Sequence, residues 1–156
     1  MLLCLLLDHG LRCGEVAGLR VEHINLPAGT FTFYREKVDL VQTHKLTLDT
    51  FRALVAYLTL DAPTGSLLMG SRKDGTLAGR MSTRAINKRV GVLGQEAGIA
   101  KRSPHDCRHY WTTAAIRGGS DIKSVQGGGG WKIPHMPLQY ASRSALANEG
   151  IRLAEK

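Results

Sequence analysis

Helix-starting and helix-stopping residues divide this chain into short pieces, and that punctuation constrains the fold more than any other feature. The clearest piece opens at Ser103-Pro104 and closes at Gly118-Gly119. Serine suits the capping position, and proline suits the first helical position, where its fixed φ is already helical and its missing N–H is not needed. By the same signs, residues 2–9 read as a buried helix stopped by Gly10, and residues 13–19 as a second helix. Asp49 is read as the cap of a helix reaching about Leu60, and Ser82 as the cap of one ending near Gly98. Residues 121–126 form a short helix ahead of four consecutive glycines, 127–130, and Pro134 opens one more helical turn carrying Tyr140. The tail, residues 144–154, is helical in composition.

Strand character is confined to the first half. Residues 30–34 are β-branched and aromatic, and residues 45–48 alternate polar and apolar, so a hairpin or small sheet is expected there. Residues 61–65 read as a loop and 66–70 as a short strand or turn. The expected fold is therefore mainly α with a small antiparallel β-sheet, an α+β domain. No repeat or long linker divides the 156 residues, so a single domain over 1–156 is expected.

A net charge of +8 directs the chain toward polyanions: DNA, RNA or an anionic membrane surface. The apolar start is interrupted by Asp8, which leaves it too short to span a bilayer, and it lacks the basic opening of a signal peptide. With three cysteines and no C-x-x-C spacing, reduced thiols and a cytoplasmic location are expected. A chain that opens inside an apolar helix also suggests that something normally precedes Met1.

Five features then stand in one order: Gly10-Leu11-Arg12 with Glu15; Lys37 at the end of the first strand; His105-x-x-Arg108 with His109 directly after; Trp131 after a glycine; and Tyr140, nine residues beyond Trp131. Taken singly, each has an ordinary structural explanation. Taken together and in this order, they resemble the catalytic domain of the tyrosine recombinases, the phage-integrase family, over nearly the whole chain. The most specific parts are the His-x-x-Arg-His segment after Pro104 and the spacing from Gly130-Trp131 to Tyr140.

The resemblance implies the fold of DNA breaking-rejoining enzymes and a site with assigned parts. Arg12 and Arg108 bind the scissile phosphate, Trp131 donates its indole N–H, and His105 donates to the phosphate or takes a proton. Lys37 protonates the leaving 5′ oxygen, with Lys45 as the substitute, and Tyr140 is the nucleophile. Glu15 and His109 support this group from behind. The chemistry is consistent with the residue types. Guanidinium groups are always charged and can bind two phosphate oxygens at once, and a covalent phosphotyrosine conserves the bond energy for rejoining. Neither a cofactor nor a metal is expected. The expected partners are double-stranded DNA and further copies of the chain, four protomers on paired sites, with no membrane. Arg72, Lys73, Arg80, Arg84, Lys88 and Arg89 are candidates for further phosphate contacts.

Two departures from the family pattern stand out. The family carries an N-terminal DNA-binding domain for which there is no room before Met1, so weak DNA binding by these residues alone is expected. Residues 127–130 are glycines where the family has a leucine before a single glycine, and a mobile segment is expected there. Three rival readings are kept. His105 and His109, at i and i+4, could bind zinc. The chain could be a DNA-binding remnant of an integrase without activity. Type IB topoisomerases share the same chemistry.

Overall fold

The apolar start of the chain is a core helix. In the computed structural model, which describes residues 1–99 and 102–140, α1 (Leu2–Leu7) buries Leu5 and Leu6 completely. They pack with Leu11, Val16 and Leu19 around α2 (Cys13–Gly18), and with Phe31, Leu54, Leu67, Ile86 and Val90 from later elements. At roughly 25 cal/mol per Å² of apolar surface removed from water, this cluster is the main stabilising term.

A three-stranded antiparallel sheet of β1 (Ile24–Asn25), β2 (Thr30–Arg35) and β3 (Leu40–Lys45) lies beside α2. The β2–β3 hairpin runs in register from Thr30 opposite Lys45 to Arg35 opposite Leu40, and turns through a 3-10 segment, Glu36–Val38. Period-two alternation sends Phe31, Phe33 and Arg35 inward. Next come α3 (Leu48–Leu60), a second small sheet of β4 (Met69–Ser71) and β5 (Leu77–Arg80), and α4 (Thr83–Glu96). They are followed by α5 (Pro104–Arg117), α6 (Ile122–Gly129) and α7 (His135–Tyr140). Ser82 and Ser103 cap α4 and α5 as their sequences require, and Pro104 is the first residue of α5. The fold is mainly helical with small antiparallel sheets, as expected.

Three local expectations are corrected, and one strand is an addition to them. The second hairpin strand is residues 40–45, not 45–48, because the hairpin pairs Leu40–Lys45 with β2. The cap of α3 is Thr47, not Asp49: the Thr47 hydroxyl accepts from the Thr50 N–H at 3.1 Å, which leaves Asp49 in the first turn. Strand β5 was not foreseen. Helix α6 does not stop at Gln126 but continues through Gly129, with Gly130 as its left-handed cap. The tail expectation for 144–154 lies outside the described residues.

Beneath the hairpin, His9 and His44 sit 5.8 Å apart between ring centroids, with Phe31 edge-on to both. His9 Nε2 and the Thr50 hydroxyl are 3.1 Å apart, and that hydroxyl donates to Asp8 at 2.9 Å. Among the described residues, the buried Nε2 of His44 has no hydrogen-bond partner. Burial pulls both histidines down to about 4; Asp8 opposes the shift at His9, and Arg35 and His9 reinforce it at His44. In the unfolded chain they titrate near 6.5, so between about pH 6.5 and 4 the unfolded chain binds more protons. Their contribution to stability is complete above about pH 6.5 and is lost as pH falls toward 4, on the order of 3 kcal/mol for each histidine. The midpoint of thermal unfolding should drop between pH 7.5 and 5, and drop less in a His44→Phe variant. Identical pH slopes for the two proteins would refute the assignment.

Candidate active site

The last carbonyls of any helix lack partners within it and carry the negative end of the helix dipole. At the end of α6 this deficit is met by side chains from three distant segments. The Gly127 carbonyl accepts from Gln42 Nε2 at 2.9 Å, and the Gly128 carbonyl from Arg35 Nη2 at 2.5 Å. The Gly129 carbonyl accepts from Arg35 Nη1 at 3.0 Å and from Arg108 Nη2, and the Gly130 carbonyl from Arg12 Nη2 at 3.1 Å. The glycine run, for which mobility was expected, forms a helix end whose carbonyls accept from three arginines. Two of its glycines are sterically required. A Cβ on Gly129 would lie 1.9 Å from the Trp131 ring, and one on Gly130, at φ +62°, would lie 2.6 Å from the Arg35 side chain.

Arg12 occupies the capping position of α2, where its backbone N–H donates to Glu15 Oε2 and its Nη1 to Glu15 Oε1, both at 2.8 Å. Arg35 Nη1 reaches the same carboxylate at 2.9 and 3.1 Å, so the buried Glu15 lies between two guanidinium groups. Burial is the main cause lowering the Arg35 pKa; Arg12 adds to it and Glu15 opposes it. The group remains charged at any physiological pH.

Arg108 is buried on α5. It donates to the Gly10 carbonyl and lies over the Trp131 ring, 4.1 Å from its centroid. Trp131 in turn stacks near Trp111 at 6.3 Å. The structure therefore brings together Arg12, Glu15, Arg108 and Trp131. His105 is exposed one helical turn before Arg108 and on the same side of α5. Lys37 lies in the hairpin turn and lines a cavity of about 560 Å³ together with Arg12, Glu15, Phe33, Tyr34 and Glu36. Lys45 pairs with Thr30 at the opposite end of the hairpin, roughly 17 Å along the strand from Arg35.

His109 is exposed and lines a separate apolar cavity of about 750 Å³ with Leu3, Leu7, Val90 and Leu93. Tyr140 is the last residue of α7; its side chain lies outside the described residues. Asp106 acts as a capping residue, accepting from the Ser103 N–H and hydroxyl at 2.8 Å each; these bonds hold its carboxyl below the usual range. Arg72, Lys73, Arg80, Arg84, Lys88 and Arg89 are all exposed, on the β4–β5 hairpin and α4. Among the described residues, no group of three or more His, Cys, Asp or Glu side chains could hold a metal, so the zinc reading gains no third ligand. Among them too, no helix is long and apolar enough to cross a membrane.

Sequence reasoning missed Arg35 and Gln42. The available signal was the alternation in β2, which puts Arg35 on the same face as Phe31 and Phe33.

Three arginines and a tryptophan meet at one helix end, and comparison with known proteins gives the class. The sequence model of the phage integrase family matches residues 1–146. The tyrosine recombinase XerC of Myxococcus xanthus is 31% identical over 131 residues, covering 78% of this chain and 42% of that protein. XerC of Actinobacillus succinogenes is 27% identical over 127 residues, covering 78% and 41%. The crystal structure of XerA recombinase superposes with a TM-score of 0.74 at 26% identity, covering 91% of this chain and 52% of that one. XerH site-specific recombinase bound to its difH substrate shares the fold, with a TM-score of 0.71 at 18% identity over 92% of this chain and 43% of that one. The chain belongs to the phage integrase family, the tyrosine recombinases. It spans less than half the length of the XerC relatives.

Proposed function

We propose that this domain cuts and rejoins double-stranded DNA through a 3′-phosphotyrosine intermediate, as a site-specific recombinase or integrase. The observation that carries the reading is the convergence of Arg12, Arg108 and Trp131 on the end of α6, with Glu15 fixing Arg12. A phosphodiester under attack gathers negative charge on its non-bridging oxygens. Two preorganised guanidinium groups and an indole N–H stabilise that charge more in the transition state than in the ground state.

In this mechanism the Tyr140 oxygen attacks phosphorus, the bond to the 5′ oxygen breaks, and Lys37 gives that oxygen a proton. His105 donates to the phosphate or takes the Tyr140 proton. Reversal by a 5′-hydroxyl from a second strand restores the phosphodiester and frees Tyr140. Lys37 is favoured over Lys45 because it shares a cavity with Arg12, whereas Lys45 sits at the far end of the hairpin. The exposed basic residues of β4–β5 and α4 provide further phosphate contacts, and four copies assemble on paired sites in the cytoplasm.

The test is covalent capture. The protein is mixed at high concentration with nicked duplexes of randomised sequence in EDTA, and DNA that stays attached through a denaturing wash is recovered and sequenced. Attached DNA sharing a common sequence is expected. Recovery no greater than from a heat-denatured control would leave a non-catalytic DNA-binding remnant as the better reading.

A further inference from the structure

A guanidinium with no exposed surface is costly to bury unless acceptors surround it. Among the described residues Arg35 is the largest fully buried side chain, and its acceptors come from three separate elements. Nε donates to Gln42 Oε1 on β3. Nη1 donates to both Glu15 oxygens on α2 and to the Gly129 carbonyl on α6, and Nη2 to the Gly128 carbonyl. The Phe33 ring covers Cζ at 4.7 Å. Buried ion pairs of this kind often add little stability over a well-packed apolar residue. What this one adds is geometry: a single planar fork fixes the carboxylate that holds Arg12 and the helix end that leads into Trp131.

Resting on the recombinase reading, we propose that Arg35 is a positioning residue for strand cleavage. Through Glu15 it sets the Arg12 guanidinium, and through the Gly128 and Gly129 carbonyls it sets the end of α6 from which Trp131 follows. Arginine suits the task because its two terminal nitrogens serve different elements at once. A lysine ammonium keeps the charge but concentrates its donors on one nitrogen.

The test compares the wild-type chain with Arg35→Lys and Arg35→Met. The first readout is adduct formation at saturating concentrations of the captured duplex, carrying either a phosphate or an uncharged methylphosphonate at the scissile position. On phosphate, Arg35→Lys should slow the reaction by about 10²-fold, the scale of a small misplacement at a reacting centre. On methylphosphonate, which lacks the charge that Arg12 faces, the loss should shrink to a few-fold. Equal losses on both substrates that track a fall in Tm would reduce Arg35 to a structural role, and unchanged rates in both variants would overturn the proposal outright. The second readout needs no cleavage: inorganic phosphate is titrated into protein with labelled arginine side chains while the Arg12 Nε–H signal is followed. Arg35→Lys should shift that signal and weaken phosphate binding roughly tenfold. If the wild-type chain forms no adduct, the recombinase reading fails; an unchanged Arg12 signal and phosphate affinity in Arg35→Lys would still refute the positioning role.

Discussion

Arg108→Ala is expected to slow formation of the covalent adduct by about 10²- to 10³-fold, the cost of removing one preorganised charge-stabilising donor. The guanidinium binds the Gly10 and Gly129 carbonyls and lies over Trp131, so its removal takes away a charge and also a support for the indole. Arg108→Lys keeps the charge but loses the planar fork and the flat stack, and should recover only a small part of the rate. DNA affinity should change far less than the rate, because one phosphate among many contributes modestly to binding. Single-turnover adduct formation and a filter-binding titration on the same duplex separate the two effects. A rate within a few-fold of wild type for Arg108→Ala would remove Arg108 from the site.

Gly129→Ala and Gly127→Ala should have opposite effects, although the two residues stand two apart in one glycine run. An added methyl at Gly129 would lie 1.9 Å from the Trp131 ring, so the indole or the helix end must move. Forcing extra volume into a packed region costs about 1–3 kcal/mol, and the displaced ring would leave Arg108. At Gly127 a Cβ meets nothing within 4 Å. There alanine should stabilise α6 by up to about 1 kcal/mol through its better helix propensity. Thermal unfolding reads both changes. Destabilisation at Gly127 as large as at Gly129 would mean that the run is not the ordered helix end described above.

The elements legible in the sequence were those with local chemical signatures. Ser82 and Ser103-Pro104 announce α4 and α5 because capping depends on one or two residues. The order of Arg12, His105, Arg108, Trp131 and Tyr140 gave the family. What the sequence hid was set by pairing and packing between distant segments. The alternation at 45–48 resembled a strand, but the hairpin register pairs 40–45 instead. Asp49 was read as the cap of α3 from its residue type alone, but it is the Thr47 hydroxyl that reaches an unsatisfied N–H. The glycine run read as loose because the atoms that restrain it, on Arg12, Arg35, Gln42 and Arg108, come from distant parts of the chain. Arg35 carried no motif, and its inward face follows only once β2 is known to extend through it.

The central claim is that Tyr140 is the nucleophile, and the most direct measurement is the site of attachment in the captured adduct. The chain has four tyrosines, and two of the others are poor candidates on geometry. Tyr34 lines the cavity beside Arg12, but its hydroxyl donates to Asp39 at 2.8 Å, which raises its pKa and works against the phenolate. The Tyr57 hydroxyl donates to the Leu67 carbonyl. The adduct would be digested with protease and nuclease, and the peptide carrying the residual nucleotide sequenced by mass spectrometry. Attachment at Tyr140, with no adduct from Tyr140→Phe, is the predicted result. Attachment at Tyr34, Tyr57 or Tyr110, or an adduct that survives in Tyr140→Phe, would contradict it.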